Sequence, residues 1–309
     1  METLAVVIEK PGAVALRRLG LTPVGAADLL VEIDWSGIST GTEKLLWSGR
    51  MPPFPGLGYP LVPGYEAVGR VVDAGADARR FLGQTVFVPG ASCYVGARGL
   101  FGGSARRLVV PAARVVPVEG LGEEAVLLAL AATAMHAIGH GPLPDLVVGH
   151  GVLGRLIARI ACALGGAPTV WEVDPARAGG AEGYAVCLPE ADPRHDYRLV
   201  CDASGAPGLL DSLIARLARG GEILLAGFYE APLSFAFPPA FQREMRLRVA
   251  AEFSAEDVAQ VLDLVRTGRL SLGGLLSHRT PASSVPDAYA RAFADRTCLK
   301  MLIDWRDAA

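Results

Sequence analysis

The chain has 309 residues, a formal net charge of −3 and 51% hydrophobic residues. That length suits about two domains with a large core, and the composition excludes a disordered chain. The slightly acidic balance gives no sign of nucleic-acid binding.

The opening METLAVVIEKPG carries Glu2, Glu9 and Lys10 among few apolar residues. It lacks the basic start and apolar middle of a signal peptide, so a cytoplasmic protein is expected. Residues 1–115 read as β-rich. LAVVI, LLVEI, EAVGRVV, QTVFV and RRLVV are short apolar runs broken by Gly, Pro and Asp, a spacing that suits a small barrel or sandwich. Between Arg50 and Pro63, RMPPFPGLGYPLVP holds five prolines and predicts a stiff loop.

From Glu123 the period changes. EEAVLLALAATAMHAI reads as a helix. The stretch Ala125–Pro144 has no formal charge and the length of a membrane span. His136, His140, Gly139, Gly141 and two prolines mark it instead as a buried helix with its exit loop. DLVVGH, PTVWEVD, YRLVCDASG and GGEILLAGF read as strands. GVLGRLIARIACALG and DSLIARLARG read as the helices among them. This alternation implies βαβ units and a doubly wound parallel sheet. A strand LRVAAEF, helices AEDVAQVLDLVRTG and SVPDAYARAFAD, and a last strand CLKMLIDW complete the chain. The expected class is α/β, with a β-rich domain over 1–122, a nucleotide-binding domain over 123–272 and a C-terminal return over 273–309. Cysteines at 93, 162, 187, 201 and 298 form no C-x-x-C pair, so neither a zinc ribbon nor a disulfide scaffold is expected.

Gly149-His150-Gly151-Val152-Leu153-Gly154 matches G-x-G-x-x-G. An apolar strand precedes it, a helix follows it, and Asp174 ends the next strand. This context predicts a dinucleotide site: a tight turn at the first glycine, phosphate approach at the second, close packing at the third. Asp174 can accept from both ribose hydroxyls and would repel a 2′-phosphate, so NAD is expected over NADP. Arg177 is a nearby group able to accommodate that phosphate. Ser204, Gly205, Gly227 and Phe228 follow strands at their C-terminal ends, where the cofactor crevice is expected.

A β-rich N-terminal domain, a Rossmann domain and a C-terminal return resemble the medium-chain dehydrogenase/reductase superfamily. The N-terminal domain would then be GroES-like. Ser36-Gly37-Ile38-Ser39-Thr40-Gly41-Thr42-Glu43 is similar to the superfamily's first metal segment, and Pro63-Gly64-Tyr65-Glu66 to its Pro-Gly-His-Glu. Thr133-Ala134-Met135-His136-Ala137 is similar to a helix segment of the superfamily. Leu275-Leu276-Ser277-His278 and Leu299-Lys300-Met301-Leu302-Ile303 resemble its C-terminal return. In zinc-bearing members three of these positions hold the metal. Here they are Ser39, Tyr65 and Ala129, so the resemblance implies a zinc-free member with no metal residue.

A narrower resemblance lies in WSGISTGTEKLLWSGRMPPFPGLGYPLVPGYEAVGRV. It is to members that oxidise the 3-(1-hydroxyethyl) group of bacteriochlorophyllide a to acetyl, passing a hydride to NAD. It implies a tetrapyrrole substrate. Tyr65 and Ser39 would take the vacated metal position, with Tyr65 bonding the substrate oxygen and Ser39 and Thr42 relaying a proton. Lys44 would lower the Tyr65 pKa and Glu66 would raise it. Glu66 is a candidate for proton transfer or structure, and His136 for a core or cofactor-edge role. Thr133 would lie near the nicotinamide and Lys300 near the pyrophosphate. Trp47, Met51, Phe54, Leu57, Tyr59, Tyr94 and Phe101 would frame an aromatic cleft. Arg50 and Arg98 are candidates to pair with a propionate. The edge LRVAAEF would suit a homodimer. A zinc-free quinone or enoyl reductase using NADPH, and a non-enzymatic protein of the same fold, are the competing readings.

Overall fold

The computed structural model describes residues 1–53, 55–139 and 141–308. They divide into two compact units, Met1–Ala129 with Leu275–Ala309, and Leu130–Gly274. The division falls inside the helix Leu128–Ile138, and a 3-10 turn, Gly122–Leu127, forms the first part of the expected helix.

In the first unit the apolar runs become strands. The central one is Asp28–Ile38, whose Leu29, Val31 and Ile33 are fully buried. It pairs antiparallel with Ala67–Ala74, Arg107–Pro111 and Met301–Asp304. The C-terminal return is thus a strand of this sheet, with Met301 opposite Ile38 and Asp304 opposite Trp35. That register sets Lys300 beside the segment following Ile38. A smaller sheet is built on Glu2–Lys10 and Ala13–Leu21. The second of these strands was not legible as one, because AVALRRLGL places two exposed arginines mid-strand.

In the second unit, among the described residues, six parallel strands run in the order Ala185–Cys187, Thr169–Trp171, Leu146–Val148, Tyr197–Asp202, Leu217–Leu225 and Arg246–Val249. The buried cores of the inner strands are apolar, Val147 and Val148, Val170 and Trp171, Leu199 to Cys201 and Ile223 to Leu225, as burial on both faces requires. The helix Val152–Ala163 lays Leu156, Ile157 and Ile160 on the core, each contributing about 1.5–3 kcal/mol by leaving water. Two expected elements are shorter than predicted. The helix in DSLIARLARG spans only Leu210–Ile214, because Leu217 already pairs with Tyr197. The strand in LRVAAEF is Arg246–Val249, the sheet edge, with Leu247 and Val249 exposed. Among the described residues no helix is long and apolar enough to cross a membrane.

Candidate active site

The first unit gathers its chemistry where Asp28–Ile38 ends. Ser39 leads into the short helix Thr42–Ser48, and the Ser39 N–H donates to Glu43 Oε1 at 3.1 Å. Gly64, at φ +96°, makes the turn that presents Tyr65 and buries Glu66. The Tyr65 hydroxyl lies 2.7 Å from Ser39 Oγ. Its ring meets Phe101 edge-on, centroids 5.3 Å apart. Burial and the Glu66 carboxylate push the phenol well above its ordinary value, while the Ser39 and Thr42 hydroxyls pull weakly the other way. Tyr65 therefore stays protonated near neutrality. Lys44 is not among the leading influences on it.

Glu66 and Lys300 form a buried ion pair. Lys300 Nζ donates to the two carboxylate oxygens at 2.8 and 2.7 Å, and both side chains are sealed from solvent. Two expectations change here. Lys300 is not held out toward a pyrophosphate, because burial beside Glu66 fixes its ammonium inward. Glu66 is engaged structurally, with Lys300 bonded to both of its oxygens. Gly37 is required by this pair: a Cβ there would collide with Glu66 Oε2.

Glu43 was not singled out by the sequence. It is fully buried, and its Oε2 accepts from the Tyr289 hydroxyl at 2.5 Å. Burial raises its pKa to about 7 against the ordinary 4.5, opposed by the bonds from Tyr289 and the Ser39 N–H. A carboxyl raised on folding stabilises the protein below its unfolded value and loses that contribution as pH rises through the folded one. Its contribution to thermal stability is thus expected to fall as pH rises from about 4.5 to about 7, and Glu43→Gln to remove that fall of roughly 3 kcal/mol. Scanning calorimetry across that range checks it; an unchanged slope would mean that Glu43 is not the group responsible.

The expected aromatic frame is mostly engaged in packing. Trp47, Met51, Leu57, Tyr59 and Tyr94 lie partly buried against the core. Trp47 packs on Phe293 at 5.5 Å. The Tyr59 and Tyr94 hydroxyls donate to the carbonyls of Leu46 and Gly102, each at 2.5 Å. These side chains are therefore fixed by the fold, and their exposed edges are what remains for a ligand. Arg50 and Arg98 are exposed; Arg50 reaches Ser48 Oγ at 3.3 Å, and Arg98 the Gly56 carbonyl at 3.5 Å. Phe54 lies outside the described residues.

In the second unit the glycine fingerprint joins the strand Leu146–Val148 to the helix Val152–Ala163. Gly149 has φ +95°, and a Cβ on Gly154 would run into the Gly149 carbonyl. A Cβ on Gly151 would meet nothing within 4 Å. No side chain caps the helix that Val152 and Leu153 begin. Asp174 Oδ1 accepts from the Ala176 N–H at 3.0 Å, so its carboxylate has a set orientation. His150 departs from expectation: it is fully buried and cannot touch a cofactor. His136 also departs. Its ring is 43% exposed and pairs with Asp257 at 3.0 Å, because the capping box of the helix Ala255–Arg266 brings that carboxylate to it. Thr133 is partly buried on its helix.

Gly205, at φ +70°, and Gly227 pack closely at the carboxyl ends of their strands, and Phe228 is half exposed. Ser204 donates its N–H and hydroxyl to Asp202 Oδ1 at 2.9 and 2.6 Å. Buried Asp202, which also accepts from Tyr229 at 2.7 Å, organises this edge and was missed. An acid closing an apolar strand, VCDASG, was the available signal.

Among the described residues, no three His, Cys, Asp or Glu side chains gather as a metal site. Residues 25–120 match the family described as the alcohol dehydrogenase GroES-like domain. The chain is 56% identical to a 2-desacetyl-2-hydroxyethyl bacteriochlorophyllide A dehydrogenase of Rhodobacter capsulatus and 52% identical to one of Cereibacter sphaeroides, each over 100% of both chains. It superposes on L-idonate 5-dehydrogenase of Escherichia coli with a TM-score of 0.86 at 20% identity, over 98% of both chains. With relatives of that identity along its whole length, the chain belongs to the family of these two bacteriochlorophyllide dehydrogenases, within the medium-chain dehydrogenase/reductase superfamily, and is an oxidoreductase acting on a CH–OH group.

Proposed function

We propose that the protein oxidises the 3-(1-hydroxyethyl) group of bacteriochlorophyllide a to 3-acetyl, with NAD as acceptor and without zinc. The carbinol loses its C–H hydride and its O–H proton, so alcohol and NAD become ketone, NADH and H⁺. The observation that carries the reading is the Ser39–Tyr65 hydroxyl pair, 2.7 Å apart, in the two segments similar to the metal-binding ones of zinc members. The two full-length relatives, named for this substrate, support it.

The residues of the second unit fit a dinucleotide. The backbone is open at Gly151, and the first turn of the helix Val152–Ala163 can receive an anion. Gly149, Gly151, Val152, Leu153 and Gly154 would hold its pyrophosphate and Asp174 its ribose. Thr133, Ser204, Gly205, Gly227 and Phe228 would flank its nicotinamide end. When bound, the nicotinamide supplies the hydride acceptor. In the first unit Tyr65 donates to the substrate oxygen and orients it. The carbinol O–H proton passes to Ser39 Oγ while the Ser39 hydroxyl hydrogen moves through partly exposed Thr42 to solvent water, so Tyr65 keeps its own hydrogen throughout. Glu43 and Tyr289 hold Ser39 in place through its N–H.

Chelator-treated protein mixed with NAD and 3-hydroxyethyl bacteriochlorophyllide a should red-shift the pigment's long-wavelength band as NADH forms. Turnover only on adding zinc would overturn the metal-free reading; none in either condition would overturn the substrate. Asp174→Ala is expected to lower kcat/KM for NAD by about tenfold or more, with NADP gaining relative to it. Initial rates with both cofactors check this, and an unchanged NAD preference would remove Asp174 from the choice.

A further inference from the structure

The connection that carries Asp174 has no α-helix of its own. Residues 172–184 join two neighbouring parallel strands, Thr169–Trp171 and Ala185–Cys187, through a single 3-10 turn, Pro175–Arg177. A parallel crossover is ordinarily braced by a packed helix. Here buried side chains do the bracing. Arg155, 4% exposed, donates Nε to the His150 carbonyl at 3.0 Å. Its Nη groups donate to the carbonyls of Arg177, Gly179 and Gly180 at 2.9, 2.7 and 3.1 Å.

The His150 ring closes the network. Its Nδ1 lies 2.7 Å from the Arg177 carbonyl and its Nε2 lies 2.8 Å from the Tyr184 hydroxyl. A carbonyl only accepts, so Nδ1 carries the hydrogen. Burial beside Arg155 keeps the imidazole neutral, so Nε2 accepts from Tyr184. On the main chain, the His150 N–H donates to Glu172 Oε2 at 2.9 Å, and Glu172 Oε1 accepts from the Asp174 N–H at 2.8 Å. One residue between the first two glycines is therefore tied to the backbone on both sides of the Asp174 turn.

We infer that His150 is a positioning residue that couples the phosphate-binding turn to the ribose-reading segment 174–177, setting cofactor affinity and the preference for NAD over NADP. The inference rests on the dinucleotide reading above. It assigns no contact between His150 and the cofactor; the effect passes through Arg177, Glu172 and Asp174.

The test compares wild type, Tyr184→Phe, His150→Ala and His150→Asn by NAD titration, by KM and kcat with NAD and NADP, and by melting temperature. Tyr184→Phe removes one hydrogen bond and keeps the ring. It is expected to raise the Kd and KM for NAD about three- to tenfold with kcat at saturation unchanged. His150→Ala is expected to raise them at least about tenfold and to bring the NADP to NAD ratio of kcat/KM toward one. His150→Asn, whose amide can still donate to the Arg177 carbonyl, should recover part of the loss. Folded variants with wild-type NAD affinity and preference would overturn the inference. So would a fall in kcat with KM unchanged, or equal losses in Asn and Ala. A wild type that bound neither dinucleotide would remove the cofactor reading itself, whereas one that bound NAD as tightly as its variants would remove only the role of His150.

Discussion

Tyr65→Phe is expected to lower kcat for the pigment alcohol by about 100-fold or more, the scale set by removing one well-placed donor at a reacting oxygen. The KM for NAD should stay within about twofold, because the hydroxyl serves the substrate. Stability should fall by only about 1 kcal/mol, the loss of one hydrogen bond, because the ring still meets Phe101 edge-on. The phenol is pushed up by burial and by Glu66, so no limb of the neutral pH–rate profile should belong to it. Ser39→Ala alone should cost a comparable factor. The double variant should fall little below either single one, since two groups in one relay are not additive. Initial rates at saturating NAD, with the melting temperature as control, decide it. A Tyr65→Phe enzyme with wild-type kcat, or with kcat and NAD affinity reduced equally, would return Tyr65 to the scaffold.

Much of the fold was legible because its signals are local. Helices and strands alternate beyond residue 123 with apolar runs long enough to be buried on both faces, and the glycines of 149–154 are spaced as a strand-turn-helix junction requires. The expected helix over DSLIARLARG shows where local reading stops. LARG has helical propensity, but Leu217 pairs with Tyr197 and draws those residues into the next strand. Tertiary pairing overrides propensity there. The arginines of AVALRRLGL hid a strand in the same way, since one polar face is compatible with a sheet exposed to water.

The site was less legible. Ser39 and Tyr65 drew notice only through resemblance, since a serine and a tyrosine 26 positions apart carry no local sign of contact. His150 sits in a cofactor motif by its neighbours in sequence, Gly149 and Gly151. Its burial comes from Tyr184 and Arg155, which the motif does not include. Lys300 is the clearest case. Its partner Glu66 lies 234 positions away, and only the C-terminal strand entering the first unit's sheet brings them together.

That pair carries the largest expected stability effect. Lys300→Met keeps the length of the side chain and removes its charge, which leaves the Glu66 carboxylate buried without a counterion. Breaking a buried pair on one side costs about 3–5 kcal/mol. Glu66→Gln alone should be similarly damaging, because it strands the ammonium. The double variant should be less destabilised than the sum of the two, since neither charge is then left behind. The pH dependence of Lys300→Met has a definite sign. An unpaired buried carboxylate takes up a proton on folding, so the variant should regain stability as pH falls and lose it as pH rises. Urea unfolding at several pH values, with the KM for NAD measured alongside, separates the two roles open to this lysine. Loss of stability with NAD affinity retained fits the ion pair. Retained stability with a many-fold rise in the KM for NAD would instead place the ammonium on the cofactor's phosphates, as the resemblance first implied.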